Sequence, residues 1–168
     1  IELNFRRDND EESSDLKAIL DAPSKWLKHW YIWKRDGSIQ GAELVTAPLT
    51  LSRWKEVNLK EMLKKLWEQG ARGYNCDCGI HIHRSRTDLS NTLIAVIRSF
   101  LVVNRDYCIR FAKRDSSYAI IPLGVHDAWS YGHRNALSVT PKTIELRIFK
   151  GTTDYKRIRA SLLFFDAM

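Results

Sequence analysis

Cys78-Gly79-Ile80-His81-Ile82-His83-Arg84-Ser85 alternates apolar and polar residues, the pattern of a β-strand. Side chains two apart on a strand share a face. His81 and His83 therefore point one way, with Ser85 next in line, while Ile80, Ile82 and Arg84 point the other. Two imidazoles roughly 7 Å apart along one face can share a metal ion or a polyphosphate. Gly79 removes a side chain just before the pair, which permits close backbone approach or a bulge. A plain structural strand would usually carry Val or Thr where these histidines stand.

Outward from this strand, other segments supply partners for it. Ile1-Glu2-Leu3-Asn4-Phe5 alternates, with Ile1, Leu3 and Phe5 on one face and Glu2 and Asn4 on the other. His29 to Lys34 is aromatic and β-prone, and the Asp36-Gly37 pair after it is a hairpin signal. Gly41 to Ala47 is the next strand, ended by Pro48, with Glu43 and Val45 opposite Ala42 and Leu44. Downstream, His133–Val139 and Thr143–Phe149 read as a hairpin around Pro141-Lys142. Its second strand puts Ile144, Leu146 and Ile148 on an apolar face, and Glu145, Arg147 and Phe149 on the other. Tyr118 to Pro122 reads as a short strand or buried loop, and Val125 to Tyr131 as loop.

Between these strands lie helical patterns. Asn58 to Gln69 carries Leu59, Met62, Leu63, Leu66 and Trp67 on one stripe, with Asn58 and Glu61 as a capping box and Gly70 just past the end. A second helix, capped by Thr87 or Asp88, buries Leu89, Leu93, Val96, Ile97, Phe100 and Leu101, and Tyr107 to Arg114 either continues it or starts a new element. A last helix follows Gly151–Asp154, with Tyr155, Ile158, Leu162 and Phe165 inward. Residues 6–15 read as a charged loop and 15–20 as a short helical piece before Pro23. Helices and mostly antiparallel strands without a βαβ rhythm define an α+β class, with the helices on one face of the sheet. The other face would carry Glu2, Glu43, His81, His83, Glu145 and Arg147. Carboxylates and imidazoles suit Mg²⁺ or Mn²⁺, and a guanidinium suits phosphate.

Composition narrows the class of protein. A chain of 168 residues with 44% hydrophobic content is expected to form a single domain, residues 1–168. It opens on Ile rather than Met and without a secretory leader pattern, so a processed chain or a fragment of a longer one is expected. The apolar runs 93–97 and 100–103 are broken by Arg98 and fall short of a membrane span. Three cysteines do not make a disulfide framework, which suits a reducing, cytoplasmic setting. A net charge of +7 and a pI near 9.4 favour anionic partners: nucleic acid, ATP or an acidic substrate.

The residues alone leave other readings open. His81-Ile82-His83 also fits the metal-holding pair of an HUH nuclease that nicks single-stranded DNA, with Tyr118 or Tyr131 as nucleophile. Cys76, Cys78, His81 and His83 together offer four zinc ligands. A non-catalytic domain binding nucleic acid or protein needs none of this chemistry.

Three blocks in order resemble the amidoligase family, a branch of the glutamine synthetase and glutamate–cysteine ligase fold. They are Asp36-Gly37-Ser38-Ile39 with Gly41-Ala42-Glu43-Leu44-Val45-Thr46-Ala47-Pro48, then Cys78 to Ser85, then Thr143-Ile144-Glu145-Leu146-Arg147-Ile148-Phe149-Lys150-Gly151-Thr152. The opening Ile1-Glu2-Leu3 and the basic pair His133-Arg134 add to the match, and Gly79-x-His81-x-His83-x-Ser85 is similar to a stretch of glutamine synthetase itself. The resemblance implies a glutamine synthetase-like catalytic fold, a curved, mainly antiparallel sheet that binds ATP and Mg²⁺ or Mn²⁺. The reaction implied is ATP-dependent amide formation through an acyl phosphate, from small-molecule or peptide carboxylate and amine substrates. Glu2, Glu43, His81 and His83 would then be metal ligands, with the histidines also reaching phosphate. Arg147 would stabilise the transferring phosphoryl group, and Glu145 would assist as a further ligand. Arg114 and Arg134 would contact the phosphates of ATP or a substrate carboxylate. Asn4 stands where the first-strand motif usually has a second acid. Related enzymes often build sites between subunits, so the resemblance leaves room for an oligomer.

Overall fold

The computed structural model describes residues 1–4, 31–36, 41–54, 59–68, 70–73, 78–87, 89–124 and 132–168. The expected loop over 6–15, the helical piece over 15–20, Phe5, Gly37, the Asn58 cap, Cys76, Asp88 and the 125–131 loop with Tyr131 lie outside these residues. By proximity the chain divides into two units, residues 1–78 with 151–158, and residues 79–150 with 159–168.

The first unit holds strands β1 (Glu2–Asn4), β2 (Tyr31–Asp36) and β3 (Gly41–Thr46), with helices α1 (Leu51–Trp54) and α2 (Leu59–Glu68). Its sheet is antiparallel in the order β1-β3-β2. Pairing of Asp36 with Gly41 makes β2 and β3 the hairpin that Asp36-Gly37 announces. Alternation sorts the faces as expected: Leu3, Ala42 and Leu44 are buried, and Glu43 pairs with Glu2 on one side and Lys34 on the other.

Helix α2 buries Leu59, Leu63 and Leu66 at i, i+4 and i+7. Gly70 closes it with φ 91°, and the Ala71 N–H donates to the Leu66 carbonyl at 2.9 Å. Trp67 departs from the expected buried stripe: it is 52% exposed. Its ring is covered instead by the Arg72 guanidinium, 3.4 Å from the ring centre, and Arg72 Nη1 donates to the Trp67 carbonyl at 2.6 Å.

The second unit contains β4 (Gly79–Ser85), helices α3 (Asn91–Val103) and α4 (Arg105–Ala112), a single 3₁₀ turn (Gly132–Arg134), and the hairpin β5 (Leu137–Val139) and β6 (Thr143–Lys150). The sheet order is β4-β6-β5, again antiparallel. Helix α5 (Tyr155–Asp166) begins in the first unit and ends in the second. Asp154 starts it by accepting from the Lys156 N–H at 2.9 Å. The α+β class stands, with antiparallel pairing in two three-stranded sheets; the described residues do not form one continuous sheet. No described helix is long and apolar enough to cross a membrane.

Two expected faces are corrected. Helix α3 is capped by Ser90, whose Oγ accepts from the Leu93 N–H at 3.1 Å, rather than by Thr87. It buries Ile94, Ile97, Leu101 and Val102, leaving Val96 56% and Phe100 38% exposed. Residues 93–103 are apolar on nearly every side, so their period does not select a face; packing does. Asn104 separates α3 from α4, which is thus a new helix, ended by Lys113 at φ 58°.

The second correction is in β6. Ile82 pairs with Leu146 and Ile80 with Phe149, so two steps on β4 match three on β6. One extra residue, in the pair Arg147–Ile148 opposite His81, makes a β-bulge. Directly paired residues share a face, so Phe149 joins Ile80 and Leu146 on the apolar side rather than Glu145 and Arg147. There it meets Phe164 and Phe111 edge-on at ring distances of 5.8 and 6.4 Å. Phe149→Ala is therefore expected to cost about 3–5 kcal/mol in urea unfolding, the penalty of a core cavity. A cost below about 1 kcal/mol would return Phe149 to the opposite face.

Candidate functional site

Strand β4 alternates as its sequence dictates. Ile80 and Ile82 are buried, and His81 and His83 look out from the other face. Directly across from His83, on the central strand β6, stands Glu145. The Glu145 carboxylate is buried, with the side chain 10% exposed, and three basic groups converge on it. His81 Nδ1 lies 3.3 Å and His83 Nε2 3.6 Å from its Oε1. On the other oxygen, Arg147 Nη2 donates to Oε2 at 2.9 Å. Four of the side chains singled out in the sequence thus meet in one cluster, on two neighbouring strands.

Burial acts most strongly on the Glu145 carboxyl and would raise its pKa. Hydrogen bonds from His81 and Arg147, with the Arg147 and His83 charges, together outweigh it and bring the pKa down from 4.5 to about 2. The carboxylate is a buried anion held by the Arg147 guanidinium and by the hydrogen bond from His81. Among the described residues the buried Arg147 Nε has no hydrogen-bond partner.

The remaining expected residues lie elsewhere. Glu2 and Glu43 are in the first unit, directly opposite each other across the β1–β3 ladder, and Glu2 is buried. Like charges in that arrangement repel and favour a cation between or beside them. The Ile1 α-amino group lies in their field; burial, the larger effect, lowers its pKa, and the charges of Glu43 and Glu2 oppose that. Arg134 ends the 3₁₀ turn, with its guanidinium 5.7 Å over the ring of Tyr118. Arg114 is buried, and its Nη1 donates to the main-chain carbonyl of Arg147 at 2.8 Å. Cys78 is a buried thiol. Among the described residues no group of three or more His, Cys, Asp or Glu side chains is arranged to hold a metal ion. In this arrangement both imidazoles face one oxygen of Glu145.

Two features were not read from the sequence. One is the place of the bulge, which lies in β6 and not at Gly79 on β4, since period-two counting has no term for an inserted residue. The other is the use made of Gly79. A Cβ there would run into Arg114 Nη1, with the guanidinium carbon 2.6 Å away. Gly79 does permit a close approach, and what approaches is a side chain.

With this geometry in place the family can be stated. The chain belongs to the amidoligase family: the family model described as "Putative amidoligase enzyme" matches residues 3–107. That family is one of ligase-type enzymes, and the match takes in Glu43, His81 and His83. Glu2 lies just before it, and Glu145 and Arg147 lie beyond its end. No curated protein and no solved structure matches the chain.

The lowered Glu145 pKa has a signed consequence for the metal-free protein. A carboxyl whose folded pKa lies below its unfolded value stabilises the fold above the unfolded value, and that contribution is lost as pH falls through the folded one. Relative to Glu145→Gln, the native chain should hold a few kcal/mol of extra stability above pH 4.5, disappearing as pH falls towards about 2. Urea titrations of both proteins at a series of pH values would show it. A stability gap that stays constant between pH 6 and pH 3 would contradict it.

Proposed function

We propose that this chain is an ATP- and Mg²⁺-dependent carboxylate–amine ligase on a glutamine synthetase-like fold, with residues 1–168 acting as one amidoligase-like domain. The substrate carboxylate attacks the γ-phosphorus of ATP and ADP leaves, giving an acyl phosphate. An amine then attacks the acyl carbon, the amide bond forms, and phosphate departs. The observation that carries this reading is the cluster on β4 and β6: an Arg147 guanidinium fixed to Glu145 by one arm, beside His81 and His83. Phosphoryl transfer asks mainly for fixed positive charge where negative charge spreads over oxygens. Family membership supplies the reaction class.

In this reading the partly exposed Arg147 guanidinium supplies fixed positive charge to a transferring phosphoryl oxygen. Glu145 keeps Arg147 oriented, so that the guanidinium need not reorganise when ATP arrives. His81 and His83 donate towards phosphate, or turn from Glu145 to hold a metal ion. Two imidazoles suit a borderline ion such as Mn²⁺, whereas the oxygen-only pair Glu2 and Glu43 suits Mg²⁺. A bound divalent ion would neutralise phosphate charge and leave the γ-phosphorus more open to attack. Arg134, exposed on its turn, is available to the α- or β-phosphate or to a substrate carboxylate.

Thermal melting with ATP, with Mg²⁺ and with both tests this directly. Stabilisation should need both ligands and disappear in His81→Ala/His83→Ala. Once a carboxylate–amine pair is found by screening for ADP release, Arg147→Ala should lower turnover by about 10³-fold or more. A native chain that melts at the same temperature with and without Mg²⁺-ATP would rule out catalysis here. Cleavage of single-stranded DNA with a covalent tyrosyl adduct at Tyr118 would instead favour the nuclease reading.

A further inference from the structure

We propose that Arg114 is the positioning residue of the site, setting the direction of Arg147 through the β6 bulge. The inference rests on reading Arg147 as the phosphoryl-binding group, and it assigns Arg114 a different task from direct contact with phosphate.

A bulge interrupts the ladder and leaves main-chain groups of the extra residue in need of other partners. In β6 both backbone groups of Arg147 are held. Its N–H donates to the Ala136 carbonyl at 2.9 Å, and its carbonyl accepts from Arg114 Nη1 at 2.8 Å. With its peptide groups tied on both sides, the Cα of Arg147 has one orientation, and from there the side chain reaches Glu145 Oε2 at 2.9 Å. Arg114 can do this because of two local features. Lys113 takes the left-handed conformation at φ 58°, ending α4 and turning the chain. Gly79 then leaves open the space into which the guanidinium fits.

Gly79, His81 and His83 are successive residues of one strand face, so Arg114 occupies the place that a side chain at residue 79 would take in that row. It is 3% exposed, and its reach to the Arg147 carbonyl makes it a support beneath the cluster. The Arg114 guanidinium fills the space beside Gly79 while its Nη1 donates to the Arg147 carbonyl. A lysine ammonium carries the same charge but not that shape.

The test uses the full chain with Arg114→Lys, Gly79→Ala and Arg147→Ala, and the double variant Arg114→Lys/Arg147→Ala. Gly79→Ala leaves Arg114 in the sequence but fills its place. Two readouts are taken on folded protein. The first is the ¹⁵N spectrum of the Arg147 Nε–H and the His81 and His83 imidazoles, at one pH without ligand. The second is Mg²⁺-ATP affinity from melting temperature against ATP concentration. Arg114→Lys and Gly79→Ala should each move the Arg147 and His81 signals while α2 signals stay in place, and each should weaken Mg²⁺-ATP at least fivefold. In the double variant, Arg114→Lys should add less than twofold to the loss caused by Arg147→Ala, because it acts through that residue.

Unmoved Arg147 and His81 signals in the two single variants overturn the proposal, as do fully additive losses. Loss of the whole fold in both also overturns it, since Arg114 would then be a general core residue. If the native chain does not bind Mg²⁺-ATP, the ligase reading fails by itself, and the ligand-free spectra still decide whether Arg114 positions Arg147.

Discussion

A buried carboxylate is tolerated only where cations and donors replace the water it has lost. Glu145 meets that condition on the central strand of its sheet, with His81 and His83 reaching it from β4 and Arg147 from two residues along β6. Each partner is there for a different backbone reason. The histidines come from strict alternation on β4, Glu145 from the register that sets it opposite His83, and Arg147 from its place two residues along β6. Remove the anion and three basic side chains would share a small volume without its charge. The cluster is one electrostatic unit rather than separate contacts.

The inserted residue also reconciles two demands on β6. Its first half must present Glu145 and Arg147 to one side while burying Ile144 and Leu146 on the other. Its second half must bury both Ile148 and Phe149, because aromatic rings of α4 and α5 converge there. A regular strand cannot bury two consecutive residues on one face; a bulge can. The polar arrangement opposite His81 and the aromatic packing beyond it therefore have a common origin.

How much of this was legible in the sequence follows from which signals are local. The alternation at 80–83, the hairpin at 36–41 and the glycine stop at Gly70 are set by neighbouring residues, and these readings hold. The opposition of His83 and Glu145, 62 residues apart in the chain (145 − 83), depends on register, which no local pattern carries; only the chemical types at each position suggested it. Faces were misread at Val96, Phe100 and Trp67. An apolar helix offers no contrast to read at the first two, and a distant-looking Arg72 replaces core packing at the third. Arg114 was picked out for its charge, whereas its place under Gly79 depends on shape. The antiparallel α+β character was visible from strand and helix periods, while the split into two three-stranded sheets was not.

The division of the chain into units has a consequence for how it can be cut. The backbone passes from one unit to the other after Cys78, back after Lys150, and across again after Ile158. Neither unit is a contiguous stretch: the first needs the segment 151–158 that follows the second's hairpin, and the second needs the last turns of α5. A cut within 79–150 divides both units at once, whereas a cut after Cys78 keeps the second unit's residues together and takes 151–158 from the first.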